Sequence, residues 1–86
     1  MEAAFSRNVI MSNLLETIAK ALVDHPDAVV VTEEERDDAL VLSLSVDPED
    51  VGKVIGKGGK RAQAIRTIIR AQHLRDGQRV IVDIQG

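Results

Sequence analysis

The chain has 86 residues, enough for one domain with a single core, and its 44% of hydrophobic and 29% of charged residues are typical of a globular protein. No apolar run approaches the roughly 20 residues of a membrane span, and the absence of cysteine excludes disulfides, thiolate nucleophiles and cysteine-ligated metals. The net charge of -3 is unevenly distributed: residues 1–50 carry a net charge of -9 and residues 51–86 a net charge of +6. A chain with this distribution can bind a polyanion through one face.

The first predicted element is a helix. Residues 11–25 carry apolar side chains at helical spacing, and Ser12 or Asn13 would cap the helix. Because residues 1–10 precede this cap, we expect them to be a disordered extension, with residues 11–86 forming the domain. The extension lacks the apolar segment of a signal peptide, so we expect a cytoplasmic protein that does not associate with a membrane.

Two strands follow the first helix. Residues 28–32 form a β-branched run, and in residues 40–46 large apolar side chains recur at every second position. Between them, residues 33–38 read EEERDD and predict a solvated hairpin turn. The alternative is that this acidic segment repels a polyanion such as nucleic acid from one side of the molecule.

A short helix begins after the second strand. Asp47 is its predicted N-cap, and the proline and the acids Glu49 and Asp50 that follow favour its first turn. The helix would reach Ile55 and end at Gly56.

A longer helix and a last strand complete the chain. The helix would span residues 60–74 and stop at Asp76 and Gly77, and the strand would span residues 78–84. The order α-β-β-α-α-β predicts an α+β fold in which a three-stranded sheet packs against helices.

A glycine loop, residues 56–59 with the sequence GKGG, joins the last two helices. Glycine lets another chain approach the backbone closely, and Gly58 adds freedom in φ. Lys57, Lys60 and Arg61 place positive charge where a helix begins, and the free N–H groups of that helix also attract anions. The loop therefore predicts a site for a phosphate backbone, the alternative being an ordinary turn between helices.

The spacing of the glycines excludes two common nucleotide-binding loops. A P-loop counted from Gly52 would need a glycine where Lys57 stands, and a dinucleotide fingerprint counted from Gly56 would need one at Arg61. No catalytic constellation lies beside the loop, so we expect no enzyme activity, no cofactor and no small-molecule substrate.

The two histidines do not predict a metal site. His25 precedes a proline, and His73 lies in an arginine-rich helix far along the chain. We expect both to be solvated surface residues and expect no bound metal.

The sequence VIGKGG, residues 54–59, resembles the GXXG loop with which KH domains clamp single-stranded nucleic acid. Because α-β-β precedes the loop and a strand ends the chain, the order is that of a type II KH domain. The resemblance extends to the KhpA (YlqC-like) family of small bacterial single-domain KH proteins through IAKALVDHPDAV, DPEDVGKVIGKGGK and AIRTIIRA. It covers about residues 11–85, and the family does not usually carry residues 1–10.

This resemblance implies a function. It implies a cytoplasmic RNA-binding protein, an RNA chaperone or post-transcriptional regulator, that forms a homodimer or pairs with a second KH protein of the KhpB (Jag-like) type. The alternative is a protein-interaction subunit with little direct RNA contact.

The predicted RNA site is one continuous segment. Its residues are Lys53, Val54, Ile55, Gly56, Lys57, Gly58, Gly59, Lys60, Arg61 and Ala62. We expect the backbone N–H groups of the loop to meet successive phosphates, with Lys57 and Lys60 neutralising charge and Lys53 and Arg61 flanking them.

The resemblance to type II KH domains also implies an apolar groove beside the loop, into which the bases turn. The candidates for its lining are Val54, Ile55, Ala62 and Ile65. For each of them, packing in the core is the alternative. The only aromatic residue, Phe5, lies in the N-terminal extension, so stacking on aromatic side chains cannot supply the affinity.

The longer helix carries a second apolar stripe, formed by Ala64, Ile68 and Ala71. We expect it to contribute to an interface with a second KH chain, and packing inside the domain is the alternative. Because one KH domain grips roughly four nucleotides, pairing would raise the affinity through avidity.

Overall fold

The computed structural model describes residues 2–72 and 79–85, with side chains from residue 9 onward. Its elements are α1 (Glu2–Leu22), β1 (Val30–Arg36), β2 (Ala39–Ser45), α2 (Val51–Ile55), α3 (Lys60–Ala71) and β3 (Arg79–Gln85). Short 3₁₀ turns occupy Pro26–Ala28, Pro48–Asp50 and Lys57–Gly59. The predicted order α-β-β-α-α-β is confirmed.

The three strands form one mixed sheet in the order β1-β2-β3. β2 pairs antiparallel with β1 and parallel with β3, and Leu42 lies opposite both Glu33 and Val82. Large side chains at alternate positions of β2 and β3 are buried against the helices, whereas Ile81 on the other face of β3 is exposed. The result is a two-layer domain in which the helices of the described ranges lie on one face of the sheet.

One core fills the space between the sheet and the helices. Its fully buried large apolar side chains are Met11, Leu15, Leu40, Leu42, Leu44, Val54 and Ile69. They come from α1, β2, α2 and α3, so the short helix α2 is fixed to the rest of the domain through Val54.

The first helix is longer at its N-terminus than the sequence predicts. α1 begins at Glu2 rather than near Ser12 or Asn13, because no proline or glycine interrupts residues 2–11 and the buried Met11 anchors the helix in the core. It ends at Leu22, three residues before the predicted end. The predicted disorder of residues 1–10 concerns their dynamics and stays a prediction. No helix in the described ranges is both long and apolar enough to cross a membrane.

The acidic segment 33–38 is mostly strand, so its prediction as a turn is wrong. β1 continues to Arg36, and the turn consists of Asp37 and Asp38 alone, with Asp37 in the left-handed conformation at φ 50°. Because β1 is an edge strand with exposed side chains, charged residues cost it little and protect the edge from further pairing.

The chain from Asp47 onward folds largely as predicted. The Asp47 side chain accepts a hydrogen bond from the Glu49 N–H at 2.9 Å, which confirms its capping role. β3 buries Val80 and Val82. α3 ends at Ala71 with Gln72 as its C-cap, three residues before the predicted end at residue 74. The predicted stop residues Asp76 and Gly77, like His73, lie outside the described residues.

Candidate nucleic-acid interface

The backbone of the glycine loop is held in conformations that favour glycine. Gly56 has φ 77° and ψ 172°, a region that only glycine visits freely. Gly58 (φ 65°) and Gly59 (φ 79°) are left-handed, and the Gly59 N–H donates to the Gly56 carbonyl at 3.1 Å. Three glycines therefore favour the tight connection that joins α2 to α3 in four residues.

The glycines of the loop differ in what surrounds them. A Cβ atom at Gly56 would lie 2.8 Å from the Cβ and 2.9 Å from the backbone N of Arg61. A Cβ atom at Gly58 or Gly59 would have no neighbouring heavy atom within 4 Å. Gly56 is thus constrained by contacts inside the domain, whereas Gly58 and Gly59 face open space that a ligand backbone could approach.

The loop ends at the N-terminus of α3. Gly59 is the N-cap of this helix, and no described side chain caps it. Lys57 in the loop and Lys60 in the first turn of α3 are both exposed. The site therefore combines open backbone, a helix N-terminus and two exposed ammonium groups, a combination suited to an anion.

Lys53, a predicted cation of the site, is engaged elsewhere in the domain. Its Nζ atom lies 3.1 Å from Oδ2 of Asp24 and 3.4 Å from Oδ1 of Asp50. The hydrogen bonds to these two carboxylates raise the pKa of the Lys53 ammonium. The structure places Lys53 next to the loop but directs its charge toward the domain's own acids.

Arg61 is likewise engaged with the protein backbone. Its Nη1 atom donates a hydrogen bond of 2.8 Å to the carbonyl of Lys53, although the side chain is exposed. The guanidinium therefore reaches back from α3 across the loop to the last turn of α2.

Asp50 is the polar residue of this region whose role sequence reasoning missed. It was predicted to favour the first turn of α2, but its side chain makes no capping hydrogen bond and is fully buried. Its carboxylate accepts hydrogen bonds from the N–H groups of Asp24 (3.3 Å) and His25 (3.0 Å), from His25 Nδ1 (3.0 Å) and from Lys53 Nζ (3.4 Å). The only sequence signal for this role was the cluster of acidic residues around Asp50.

These contacts determine the pKa of the Asp50 carboxyl. Burial raises this pKa, but the hydrogen bonds from His25, from the Asp24 and His25 backbone and from Lys53 outweigh it and lower the pKa to about 2. Asp50 is therefore a buried carboxylate that stays charged because it is fully surrounded by donors.

His25 is more than the solvated surface histidine that the sequence predicts. Its ring is partly exposed. The hydrogen bond to Asp50 raises the pKa of the imidazole, and this effect is larger than the lowering of the pKa by desolvation. The negative charges of Asp47, Asp50 and Glu49 raise the pKa further. Ligand atoms of His25, Asp47 and Glu49 lie within 4.8 Å of one another. None of the three is buried, and solvent satisfies such groups without an ion.

The predicted groove residues are mostly inside the domain. Val54, Ala62 and Ile65 are buried, whereas Ile55 is half-buried. In the described structure Ile55 is thus the candidate with surface to offer a base, and base contact by the other three stays a prediction.

The second apolar stripe of α3 lies on the surface. Ile65 and Ile69 are buried, whereas Ala64, Ile68 and Ala71 are exposed, with 44% of Ile68 accessible. The alternative that both stripes pack inside the domain is therefore wrong. Contact between this stripe and a partner stays a prediction.

Comparison with known proteins identifies the family. The family model "KhpA/KhpB, KH domain" matches residues 12–84. Three similar proteins, each named RNA-binding protein KhpA, align with 74 residues, or 86%, of this chain. The identity is 55% for the protein of Caldanaerobacter subterraneus and 54% for that of Clostridium acetobutylicum, and each alignment covers 99% of the relative. It is 46% for the protein of Listeria monocytogenes, of which 97% is covered. No solved structure matches this chain significantly. The chain belongs to the KhpA/KhpB family of KH-domain proteins, as its resemblance predicted.

Proposed function

We propose that this protein binds single-stranded RNA by laying the phosphate backbone across the glycine loop. The observation that carries the proposal is the open backbone at Gly58 and Gly59, which lies between the exposed Lys57 and Lys60 at the start of α3. The relatives that carry the name RNA-binding protein KhpA support it.

The mechanism is one of backbone recognition. Backbone N–H groups of the loop and of the first turn of α3 donate to phosphate oxygens, and the lysines neutralise phosphate charge. Such contacts carry no sequence information, so base selectivity must come from the half-buried Ile55 and its surroundings. A grip on roughly four nucleotides without aromatic stacking gives weak, salt-sensitive binding.

Weak binding by one copy favours assembly. We propose that the exposed stripe of Ala64, Ile68 and Ala71 joins two KH chains, either two copies of this protein or one copy and a KhpB-type partner. Two linked loops would raise the affinity through effective concentration. A cytoplasmic RNA chaperone or post-transcriptional regulator is the biological role that fits this mode of binding.

The variant Lys57→Asp/Gly58→Asp tests the loop mechanism. Binding of a fluorescent single-stranded RNA, followed by anisotropy, is expected to disappear, since two carboxylates would stand where phosphate must approach. The matched control Lys20→Asp/Ala21→Asp changes two exposed positions of α1 and alters the net charge equally, and it is expected to bind normally. If the loop variant still binds RNA like the control, the loop is not the RNA site.

A protein-interaction subunit is the competing function. The same loop variant separates the two functions, because light scattering reports self-association independently of RNA. Loss of RNA binding with unchanged association supports RNA recognition by the loop. Absence of RNA binding in the parent protein, with association intact, would favour the interaction subunit.

A further inference from the structure

On the basis of the RNA-binding function proposed above, we propose that the four cations around the glycine loop have two different roles. Lys57 and Lys60 neutralise the phosphate charge, whereas Arg61 is a positioning residue that sets the conformation of the loop by holding the end of α2. Lys53 belongs to the same scaffold as Arg61.

The hydrogen bond of Arg61 stabilises the exposed end of a very short helix. α2 has five residues, and the carbonyls of its last turn have no helical N–H beyond Gly56 to bond to. The Lys53 carbonyl accepts from Arg61 Nη1 at 2.8 Å instead. A guanidinium moved onto a phosphate would give up this bond and leave that carbonyl to solvent.

The stem of Arg61 also contacts the first residue of the loop. A Cβ atom at Gly56 would lie 2.8 Å from the Arg61 Cβ, which shows how closely the backbone of Gly56 approaches this side chain. Arg61 therefore touches the chain on both sides of the point where α2 turns into the loop. This is the position from which one side chain can fix the loop's entry angle.

Lys53 is held by acids from two other segments. Its ammonium bridges Asp24, just after α1, and the buried Asp50, just before α2. If the Lys53 side chain turned toward RNA, it would break both ion pairs. The carboxylate of Asp50, which has no exposed surface, would then lose a hydrogen-bond donor, and such a loss is costly inside a protein. The ammonium of Lys53 thus serves the domain.

Lys57 and Lys60 differ from Lys53 and Arg61 in the contacts that their side chains make within the described part of the chain. Both are exposed, and within residues 2–72 and 79–85 neither makes an ion pair or a side-chain hydrogen bond. Two cations rather than four predict a salt slope, d log K/d log[salt], of about -1.4 per domain instead of about -2.8, at roughly -0.7 per neutralised phosphate of single-stranded nucleic acid.

The test compares matched methionine variants, which remove the charge but keep an unbranched side chain. Lys57→Met and Lys60→Met are each expected to reduce the magnitude of the salt slope by about 0.7. Arg61→Met is expected to leave the slope unchanged and to weaken binding roughly two- to tenfold at every salt concentration, because the competent loop is populated less. Arg61→Lys keeps a donor and should restore part of the affinity.

A second measurement needs no RNA. The Gly56 and Gly59 N–H groups donate to the carbonyls of Gly52 and Gly56 at 2.9 and 3.1 Å. Amide hydrogen exchange in the free protein is expected to accelerate at these two glycines in Arg61→Met, but not in Lys60→Met. If Arg61→Met lowers the slope as Lys57→Met does and leaves exchange unchanged, Arg61 is a phosphate contact and the proposal is overturned. If the parent protein shows no salt-dependent RNA binding, the proposed function fails, while the exchange rates still decide whether Arg61 positions the loop.

Discussion

The imidazole Nδ1 of His25 lies 3.0 Å from the carboxylate of Asp50, a side chain with no accessible surface. The contact joins the segment after α1 to the start of α2, 25 residues further along the chain. Asp24 and Lys53 complete this group, which we term the Asp50 network. Because α2 leads directly into the glycine loop, the network fixes the position of the helix from which the loop starts.

The Asp50 network predicts how stability depends on pH. The pKa of Asp50 is lowered from 3.8 to about 2, so its contribution is present above about pH 4 and is lost as the pH falls toward 2. The pKa of His25 is raised above 6.5, so its contribution is present below pH 6.5 and is lost as the pH rises through the raised value. For this pair, stability is greatest in mild acid, which urea unfolding across pH would show.

The control for this profile is Asp50→Asn, which keeps the shape of the side chain but removes its charge. The variant is expected to lose the contribution of Asp50, most of the contribution of His25 and part of the overall stability, because His25 and Lys53 each lose Asp50 as an ionic partner. Lys53 keeps its ion pair with Asp24. Identical pH profiles for parent and variant would mean that the network does not couple protonation to folding.

Gly56 and Gly59 are predicted to respond differently to alanine. Gly56→Ala forces a residue into a glycine-only conformation, costing about 1 to 3 kcal/mol, and also places its Cβ against Arg61. Gly59→Ala meets no neighbouring atom and costs about 1 to 2 kcal/mol for the left-handed conformation alone. Urea unfolding measures both, and a larger loss at Gly59 would contradict the geometry of the loop.

Ile68→Asp is predicted to convert a dimer into a monomer. The substitution places a charge in the centre of the exposed stripe of α3, where desolvation on pairing would be costly. The unfolding free energy of the monomer should change by about 0.5 kcal/mol or less, as at other surface positions. Light scattering measures the mass, and Thr67→Asp, at the next exposed position, is the control. An unchanged dimer, or a monomeric parent, would refute the interface.

Substitutions of Leu42 and Ile81 test whether one face of the sheet is buried and the other exposed. Leu42→Ala removes a fully buried side chain and is expected to cost about 2 to 5 kcal/mol. Ile81→Ala, on the uncovered face, is expected to cost less than half as much, since 40% of Ile81 is accessible. Chemical unfolding of the two variants provides the comparison, and equal losses would show that the uncovered face is buried in solution.

The order of the elements could be predicted from the sequence because it follows from local patterns. Apolar side chains alternate along β2 and β3, and the glycines and the Asp47 cap mark the ends of α2. The extent of β1 could not be predicted in the same way. Glutamate disfavours strands locally, but pairing of residues 33–36 with β2 at the exposed edge outweighs that preference.

The glycine loop could be located from the sequence because its residues are contiguous. The Asp50 network could not, because Asp24 and Asp50 are 26 residues apart in sequence and meet only when α1 packs beside α2. The separate roles of Lys53 and Lys57 were hidden for the same reason. Lys53 lies just before the loop and Lys57 lies in it, and only the folded chain shows which of the two lysines faces an acid.

The arrangement of the sheet has a consequence for how a polyanion approaches. The acidic strand β1 forms one edge, whereas α2 and α3, which flank the glycine loop, pack against β3 at the other edge. The acidic β1 and the basic segment of the glycine loop and α3 therefore give the molecule an electric dipole across the sheet, which the acids beside α2 reduce. In the electric field of a polyanion the protein would rotate before contact, so that the basic edge of the sheet faces the polyanion when the two molecules meet. Association at low salt is then faster than a molecule of net charge -3 would otherwise allow.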